Sequence, residues 1–340
     1  MGIKYADVIV DLQYGDTGKG KVAHSLANFT DYDIVLRYNG GSNAGHTVYH
    51  NGVKIVTHQV PIGVLKGIPS IIGPGCVVNV PKLREEVQML NDAGFNTKDL
   101  LKVDYRAHVV THEHIEEDSS DEKIGTTKQG IGPAYRDKYA RKGTRIVDYQ
   151  SMLTNDLFSV IDIYDTWFLN THPHRILCEG AQGFHLDIDW GEYPYVTSSH
   201  CTIGSVCLNG IPPRNIRKTI GVMKAYETYV GNRTNYTNEN DPTLQAIQRV
   251  GNEFGATTGR PRKVNWLNMS NVIKAINING VTDIIINKAD VLQEVHAFGI
   301  INFGDVYKFD TYDQFKSYVD TRLGEYVSTP ITWSLSPDGI

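Results

Sequence analysis

Asp11-Leu-Gln-Tyr-Gly-Asp-Thr-Gly-Lys-Gly-Lys21 is the stretch that decides how the rest of this chain is read. It follows Ala6-Asp-Val-Ile-Val10, an apolar, β-branched run with the length of a buried strand, and precedes Val22-Ala-His-Ser-Leu-Ala27, which has helical spacing. Three glycines and two lysines therefore sit at a strand-to-helix turn. An α/β sheet places phosphate at such a turn: glycine lets backbone N–H groups approach oxygen, the helix N-terminus favours anions, and lysine adds charge. The spacing is neither G-x-x-x-x-G-K-[ST] nor G-x-G-x-x-G. Asp16 lies beside the lysines, and an acid among phosphate-binding groups points to a metal ligand or a general base. Taken alone, the turn could equally be a flexible surface loop with solvated charge.

Composition bounds the remainder. A chain of 340 residues can bury a large core, and Lys+Arg 33 against Asp+Glu 38 gives a net charge of −5. No general polyanion-binding surface is implied, so any basic site is local and nucleic acid is not an expected partner. Cys76, Cys178, Cys201 and Cys207 have no C-x-x-C spacing and read as free thiols in a reducing compartment. No signal peptide and no bilayer-spanning apolar run is visible, and a soluble cytoplasmic protein without membrane contact is expected.

Strand-like runs recur at Ile34–Arg37, Lys54–Val60, Ile71–Val80, Arg175–Glu179, Thr219–Ala225, Thr282–Asn287 and His296–Phe303, with helical patterns at Lys82–Ala93, Trp266–Ile278 and Tyr312–Leu323. The alternation predicts an α/β fold: a single domain over 1–340, with a mainly parallel central β-sheet flanked by helices and long functional loops. Asn51-Gly52 between alternating residues predicts a hairpin.

Five further segments carry chemistry. Arg37-Tyr-Asn-Gly-Gly-Ser-Asn-Ala-Gly-His-Thr47 again follows a short strand, and offers the Asn43 amide, a close approach at Gly45 and His46 as a general acid. Gly125-Thr-Thr-Lys-Gln-Gly-Ile-Gly-Pro-Ala-Tyr135 precedes a basic cluster ending at Arg141; alone, it reads as a glycine loop capping a helix. In Glu179-Gly-Ala-Gln-Gly183, Gln182 has the donor and acceptor needed to read a base. Asp187 and Asp189 read as parts of a structural turn in preference to a metal site. Gly255-Ala-Thr-Thr-Gly-Arg-Pro-Arg262-Lys263 concentrates cations beside threonines, as a carboxylate or phosphate clamp requires. Asn287-Lys-Ala-Asp290 after a strand matches the guanine-reading arrangement of GTP-binding proteins.

Taken in order, these segments resemble the adenylosuccinate synthetase family across most of the chain. The matches include Gly15-Asp-x-Gly-Lys-Gly-Lys21, Asp187-Ile-Asp-x-Gly-x-Tyr-Pro-Tyr-Val-Thr-Ser-Ser199 and Gly251-Asn-Glu-Phe-Gly-Ala-Thr-Thr-Gly-Arg260. The resemblance implies transfer of a γ-phosphate to O6 of a 6-oxopurine nucleotide, followed by displacement of that phosphate by the amino group of L-aspartate. It implies Asp16 as base and Mg2+ ligand with the Gly45 carbonyl, His46 as acid, and Lys19 beside the transferring phosphate. Asn43, Thr127, Gln182, Thr197 and, from a neighbouring subunit of a homodimer, Arg141 would hold the nucleoside monophosphate. Thr257, Thr258, Arg260 and Arg262 would bind aspartate. Gly15, Gly18, Gly20, Lys21, Lys288, Asp290 and Ser336 would bind the triphosphate.

Four departures from the ordinary family pattern stand out. The chain is shorter, chiefly between Arg145 and Arg175 and near its C-terminus; Thr17 replaces a glutamate; Asn232-Arg-Thr-Asn-Tyr-Thr237 replaces a proline-rich segment; and the C-terminal segment is reduced to Ser334–Ile340. They resemble the short phage branch, 2-aminoadenylosuccinate synthetase, which implies dGMP as acceptor, ATP or dATP as donor and the host cytoplasm as location. The smaller Thr17 leaves room for a 2-amino group but also removes a carboxylate that could accept from it, and the two effects have opposite sign. Ordinary use of IMP with GTP is the runner-up, and a non-catalytic GTP-binding module is the alternative of another class.

Overall fold

The structure is a computed structural model that describes residues 2–50, 52–120, 124–150, 157–169, 172–233, 236–237, 240–255, 259–336 and 340. Nine strands form its central sheet, in the order Thr332–Trp333, Asp283–Asn287, Ile216–Lys224, Ile3–Asp11, His174–Glu179, Ile34–Arg37, Ser70–Ile72, Leu101–Asp104, Ser159–Ile161. Every neighbouring pair is parallel. The expected mainly parallel α/β sheet is present.

A parallel sheet covered by helices on both faces buries both sides of its strands, which is why Ile3–Asp11 reads as a continuous apolar run. Its side chains alternate as a pleated strand requires. Ala6, Val8 and Val10 pack with Trp167, Met223 and Ile284 on one face, whereas Ile9 packs with Val22, Val35 and Leu177 on the other.

The expected hairpin forms between His46–His50 and Val53–Thr57. Two expected elements change. Ile71–Val80 is not one strand: Ser70–Ile72 and Val77–Val78 belong to different sheets, separated by Gly73-Pro74-Gly75. The helix expected from Trp266 begins only at Met269, because Lys263–Asn268 is a strand antiparallel to Tyr226–Tyr229 and Asn268 then caps the helix by accepting from the Asn271 N–H. That strand is part of a separate four-stranded sheet completed by Phe298–Asn302 and Asp305–Phe309. The four cysteines are unpaired, as expected. Among the described residues no helix is long and apolar enough to cross a membrane.

The last residues of five adjacent central strands are Asn287, Lys224, Asp11, Glu179 and Arg37, and all are buried. They put ionisable and amide groups along one carboxyl edge, where open parallel sheets bind ligands.

On one face of the sheet Trp167 is fully buried and donates from Nε1 to the Asn209 carbonyl at 3.1 Å. Trp167→Ala is expected to cost about 3–5 kcal/mol through lost burial and an unfilled cavity; urea denaturation with an unchanged m-value checks it.

Candidate active site

The Gly-rich loop is built around Asp11. Its buried carboxylate accepts from the backbone N–H groups of Gln13 at 2.9 Å and Gly15 at 3.2 Å, from the Thr17 hydroxyl, and from Lys19 Nζ at 2.8 Å. Lys19 also donates to the Gln182 carbonyl, so its ammonium ties the loop to the next strand's end. Asn287 closes the other side by donating from Nδ2 to the Thr17 carbonyl at 2.7 Å. Gly20 is the second residue of the helix Lys19–Phe29 that follows. A Cβ there would lie 2.7 Å from Cβ of His46, so the bare backbone is what admits the histidine.

His46 is buried beside an ion pair. Arg37 Nη1 lies 3.1 Å from His46 Nδ1 and donates to Glu179 Oε1 at 3.2 Å. Burial, and then the Arg37 guanidinium, push His46 below the ordinary histidine range, so the ring is neutral near pH 7. Burial alone would raise Glu179, but contacts with His46 and Arg37 outweigh it and hold the carboxyl below its usual range.

Asp16 faces the same space from a left-handed backbone, φ 54°. Its Oδ2 accepts from Arg262 Nε at 2.9 Å, and Arg262 Nη1 donates to the buried Glu253 at 2.6 Å. Lys224, fully buried, donates to both oxygens of Glu253 at 2.9 and 2.8 Å, and Tyr226 adds a hydroxyl at 2.6 Å. Burial lowers Lys224 to about 8. Burial would raise Glu253, but Lys224 and Arg262 prevail and bring it down to about 2. Both are therefore charged at neutral pH.

A cavity of about 720 Å³ collects most of the expected residues. Gly15, Asp16, Gly18, Lys19 and Gly20 line it from the first loop, and Asn43, Gly45 and His46 from the second. Thr127, Gln182, Thr197, Arg260 and Arg262 complete the convergence of five separate segments. Arg260 donates to the carbonyls of Gly125 and Thr126 at 3.0 and 3.2 Å, and joins two of those segments. The Gln182 side-chain oxygen is buried with no hydrogen-bond partner among the described residues, as in a site awaiting a donor.

Others lie elsewhere. Lys21 donates to Ser334 Oγ at 2.7 Å and to the Ser336 carbonyl at 2.8 Å, fastening the C-terminal segment to the loop's helix. Lys288 donates to the Gly251 carbonyl at 2.9 Å, and Asp290 occupies the first turn of the next helix. Arg141 is exposed at the end of the helix Ile131–Ala140, outside the cavity of its own chain. Thr257 and Thr258 fall outside the described residues. Thr17 is buried, donates from its hydroxyl to Asp11 and is absent from the cavity lining. Of the eight described non-glycine residues with positive φ, four are Asp16, Gln182, Arg141 and Lys288. Left-handed backbone costs a branched residue roughly 1–2 kcal/mol, and such strain gathers at functional positions.

A family model for adenylosuccinate synthetase matches residues 8–168 and 159–321. The chain belongs to the adenylosuccinate synthetase family. It is 38% identical over 336 residues to the adenylosuccinate synthetase of Chlorobium limicola, covering 85% of this chain and 77% of that protein. The enzyme of Bacillus cereus is 39% identical over 336 residues, covering 85% and 78%. Among solved structures, fully ligated adenylosuccinate synthetase from Plasmodium falciparum superposes with a TM-score of 0.87 at 29% identity, covering 98% of both chains. The succinoaminodeoxyadenylate synthetase of cyanophage S-2L, solved with dGMP and with dATP as energy donor, gives 0.79 at 24% identity, covering 99% of this chain and 94% of that one, a likeness of fold. The protein is thus a C–N-forming ligase of this family.

Asp11, Arg37, Glu179, Lys224 and Glu253 were missed as site-building residues by motif. A signal was present for four of them: each charge terminates an apolar strand, where an open sheet has no structural need for one. Glu253, inside a recognised segment, had no such signal.

The His46 ring is expected to titrate below the ordinary histidine range. Glu179→Gln removes an influence that raises it and should lower the midpoint further, whereas Arg37→Met should raise it. NMR titration of the ring protons checks both signs.

Proposed function

We propose that this chain, as one domain, joins L-aspartate to C6 of a 6-oxopurine nucleoside monophosphate at the cavity described above. The observation that carries the reading is the convergence on one cavity of Asp16, held by Arg262, with the neutral His46 and the lysine-bearing loop. Asp16 removes the N1 proton, O6 attacks the γ-phosphorus of a nucleoside triphosphate, and the diphosphate leaves. The amine of aspartate then adds at C6 and expels the phosphate. His46 donates a hydrogen bond from its ring N–H to the transferring phosphoryl oxygen, a role that a neutral imidazole fills without losing its proton. Arg260 and Arg262, with Thr257 and Thr258, take the aspartate carboxylates. Asn43, Thr127, Gln182 and Thr197 hold the monophosphate, and the exposed Arg141 serves the cavity of a second copy in a homodimer.

The donor set fits magnesium. Asp16 Oδ1 has no hydrogen-bond partner among the described residues, and Gly45 brings a backbone carbonyl to the same cavity. Oxygen ligands of this kind suit a hard cation, which when bound neutralises charge on the phosphates.

For the acceptor we propose dGMP, with the shortened internal stretch between Arg145 and Arg175 and the replaced segment 232–237 in support. The second reading, IMP, is favoured by the 38–39% identity to bacterial adenylosuccinate synthetases. The donor is ATP, dATP or GTP, with Lys21, Lys288, Asp290 and Ser336 on its side of the loop.

An acceptor panel of IMP, GMP, dIMP and dGMP with aspartate, magnesium and ATP or GTP, read as succinylated product by mass, separates the two. Product from dGMP alone establishes the first reading, and product from IMP alone the second. Product from none overturns the ligase assignment of this site. Asp16→Ala is expected to lower kcat by about 10²–10⁴-fold while nucleotide binding by calorimetry persists; undiminished turnover removes Asp16 from the role of base.

A further inference from the structure

We infer that Glu253 is a positioning residue for the amine-donor site: it anchors one edge of the Arg262 guanidinium so that the other edge can exchange Asp16 for the incoming aspartate carboxylate. The inference rests on the assignment of Arg262 to aspartate made above.

Four features carry it. Glu253 has no exposed surface and does not line the cavity, so it touches no substrate. Its carboxylate is nevertheless charged, and a buried carboxylate is costly unless every oxygen is engaged. Lys224 and Tyr226 engage it from strand residues on the sheet side, with Thr228 Oγ1 completing the Lys224 ammonium at 3.0 Å. Arg262 Nη1 engages it from the cavity side. The guanidinium is planar and presents its donors in a fixed fork. Once Nη1 is held by Glu253, the direction of Nε is set, and Nε points at Asp16 Oδ2.

The same guanidinium thus stands between the proposed base and the proposed aspartate site. While Arg262 is on Asp16, it neutralises the carboxylate that must act as base. A substrate carboxylate that takes the guanidinium releases Asp16. A fixed pivot is needed for that exchange, since an unanchored arginine would follow either carboxylate away from the other. Glu253 supplies the pivot, and Lys224 balances its charge.

The test compares double variants, because removing Glu253 alone strands the buried Lys224. Lys224→Met/Glu253→Leu removes both charges and the anchor; Lys224→Met/Glu253→Gln removes both charges but keeps an acceptor for Arg262 Nη1. Two quantities are read: KM for L-aspartate, and the phosphoryl step, followed as 18O scrambling from the β–γ bridge of the triphosphate with acceptor and saturating succinate present, which supplies the carboxylates without the amine. The leucine variant is expected to raise KM for aspartate roughly ten- to hundredfold, the loss of one charge-assisted hydrogen bond, with scrambling retained. The glutamine variant is expected to recover most of it. Arg262→Lys, whose single ammonium cannot span Glu253 and a substrate carboxylate together, should show the same KM shift and does not depend on the folding of the double variants.

If Arg262→Ala raises KM for aspartate but neither Arg262→Lys nor the leucine variant does, the anchoring role of Glu253 is wrong while the aspartate assignment stands. Parallel loss of scrambling and ligation in both double variants makes Glu253 merely structural, and also overturns the inference. If Arg262→Ala leaves KM unchanged, the assignment of Arg262 to aspartate fails, and the inference falls with it.

Discussion

Burying charge along the carboxyl edge of a parallel sheet is the constraint on which the rest of this structure depends. Five adjacent strands end in Asn287, Lys224, Asp11, Glu179 and Arg37. None of the four charged ones is tolerable there alone, since an unpaired buried charge destabilises by about 3–5 kcal/mol. Each is therefore matched: Asp11 with Lys19, Glu179 with Arg37, Lys224 with Glu253. Lys19 comes from the segment that follows the Asp11 strand, Arg37 and Glu179 are two strand ends, and Glu253 arrives after a later helix, so satisfying the edge ties distant parts of the chain together. The Gly-rich loop curls over Asp11 because its N–H groups and Lys19 have no better acceptor. The histidine loop closes over Glu179 and Arg37 for the same reason.

That coupling explains how reactive groups are held without being spent. The buried pairs are saturated; the groups that face the cavity are tied at one side only. Asp16 has one oxygen on Arg262, Gln182 leaves its side-chain oxygen unpartnered, and His46 is kept neutral by burial and a neighbouring cation. Strained backbone at Asp16 and Gln182 turns both side chains toward the cavity. The stability that holds them in place lies one layer below, in the edge.

Much of this was legible in the sequence because glycine-rich turns after apolar strands have few other uses. Three of the cavity-lining segments were singled out by such turns and 255–263 by its cations, whereas Glu117, Asp118 and Ser120, with Tyr229 and Val230, which also line the cavity, carried no signal; the parallel sheet showed in the unbroken apolar runs. What escaped was whatever depends on a partner distant in sequence. Lys224 and Glu253 stand 29 residues apart, and Arg37 and Glu179 stand 142 apart. No local pattern announces such pairs, since only the strand order brings them together. Trp266 failed for the opposite reason: its segment has helical periodicity, but pairing with Tyr226 in the second sheet overrides local preference until Asn268 caps the helix.

The departures from the ordinary family pattern meet the cavity in different ways. Thr17 is folded under the loop against Asp11, and the reduced C-terminal segment is fastened to Lys21 outside the cavity lining. The segment 232–237 is different. The Asn232 backbone N–H donates to the carbonyl of Ile124 at 3.4 Å, and Arg233 donates from Nη1 to the Tyr14 hydroxyl at 3.1 Å while pairing with Glu192. Tyr14 in turn donates to Glu192 at 2.6 Å and meets the rings of Tyr229 and Tyr236 edge-on. Ile124, Tyr14 and Tyr229 all line the cavity. Behind them Tyr236 donates to Glu227, whose pKa burial lifts to about 8. Among the described residues this segment meets the cavity wall through Ile124 and Tyr14, so a shift of the Tyr14–Glu192–Arg233 contact is transmitted to that wall.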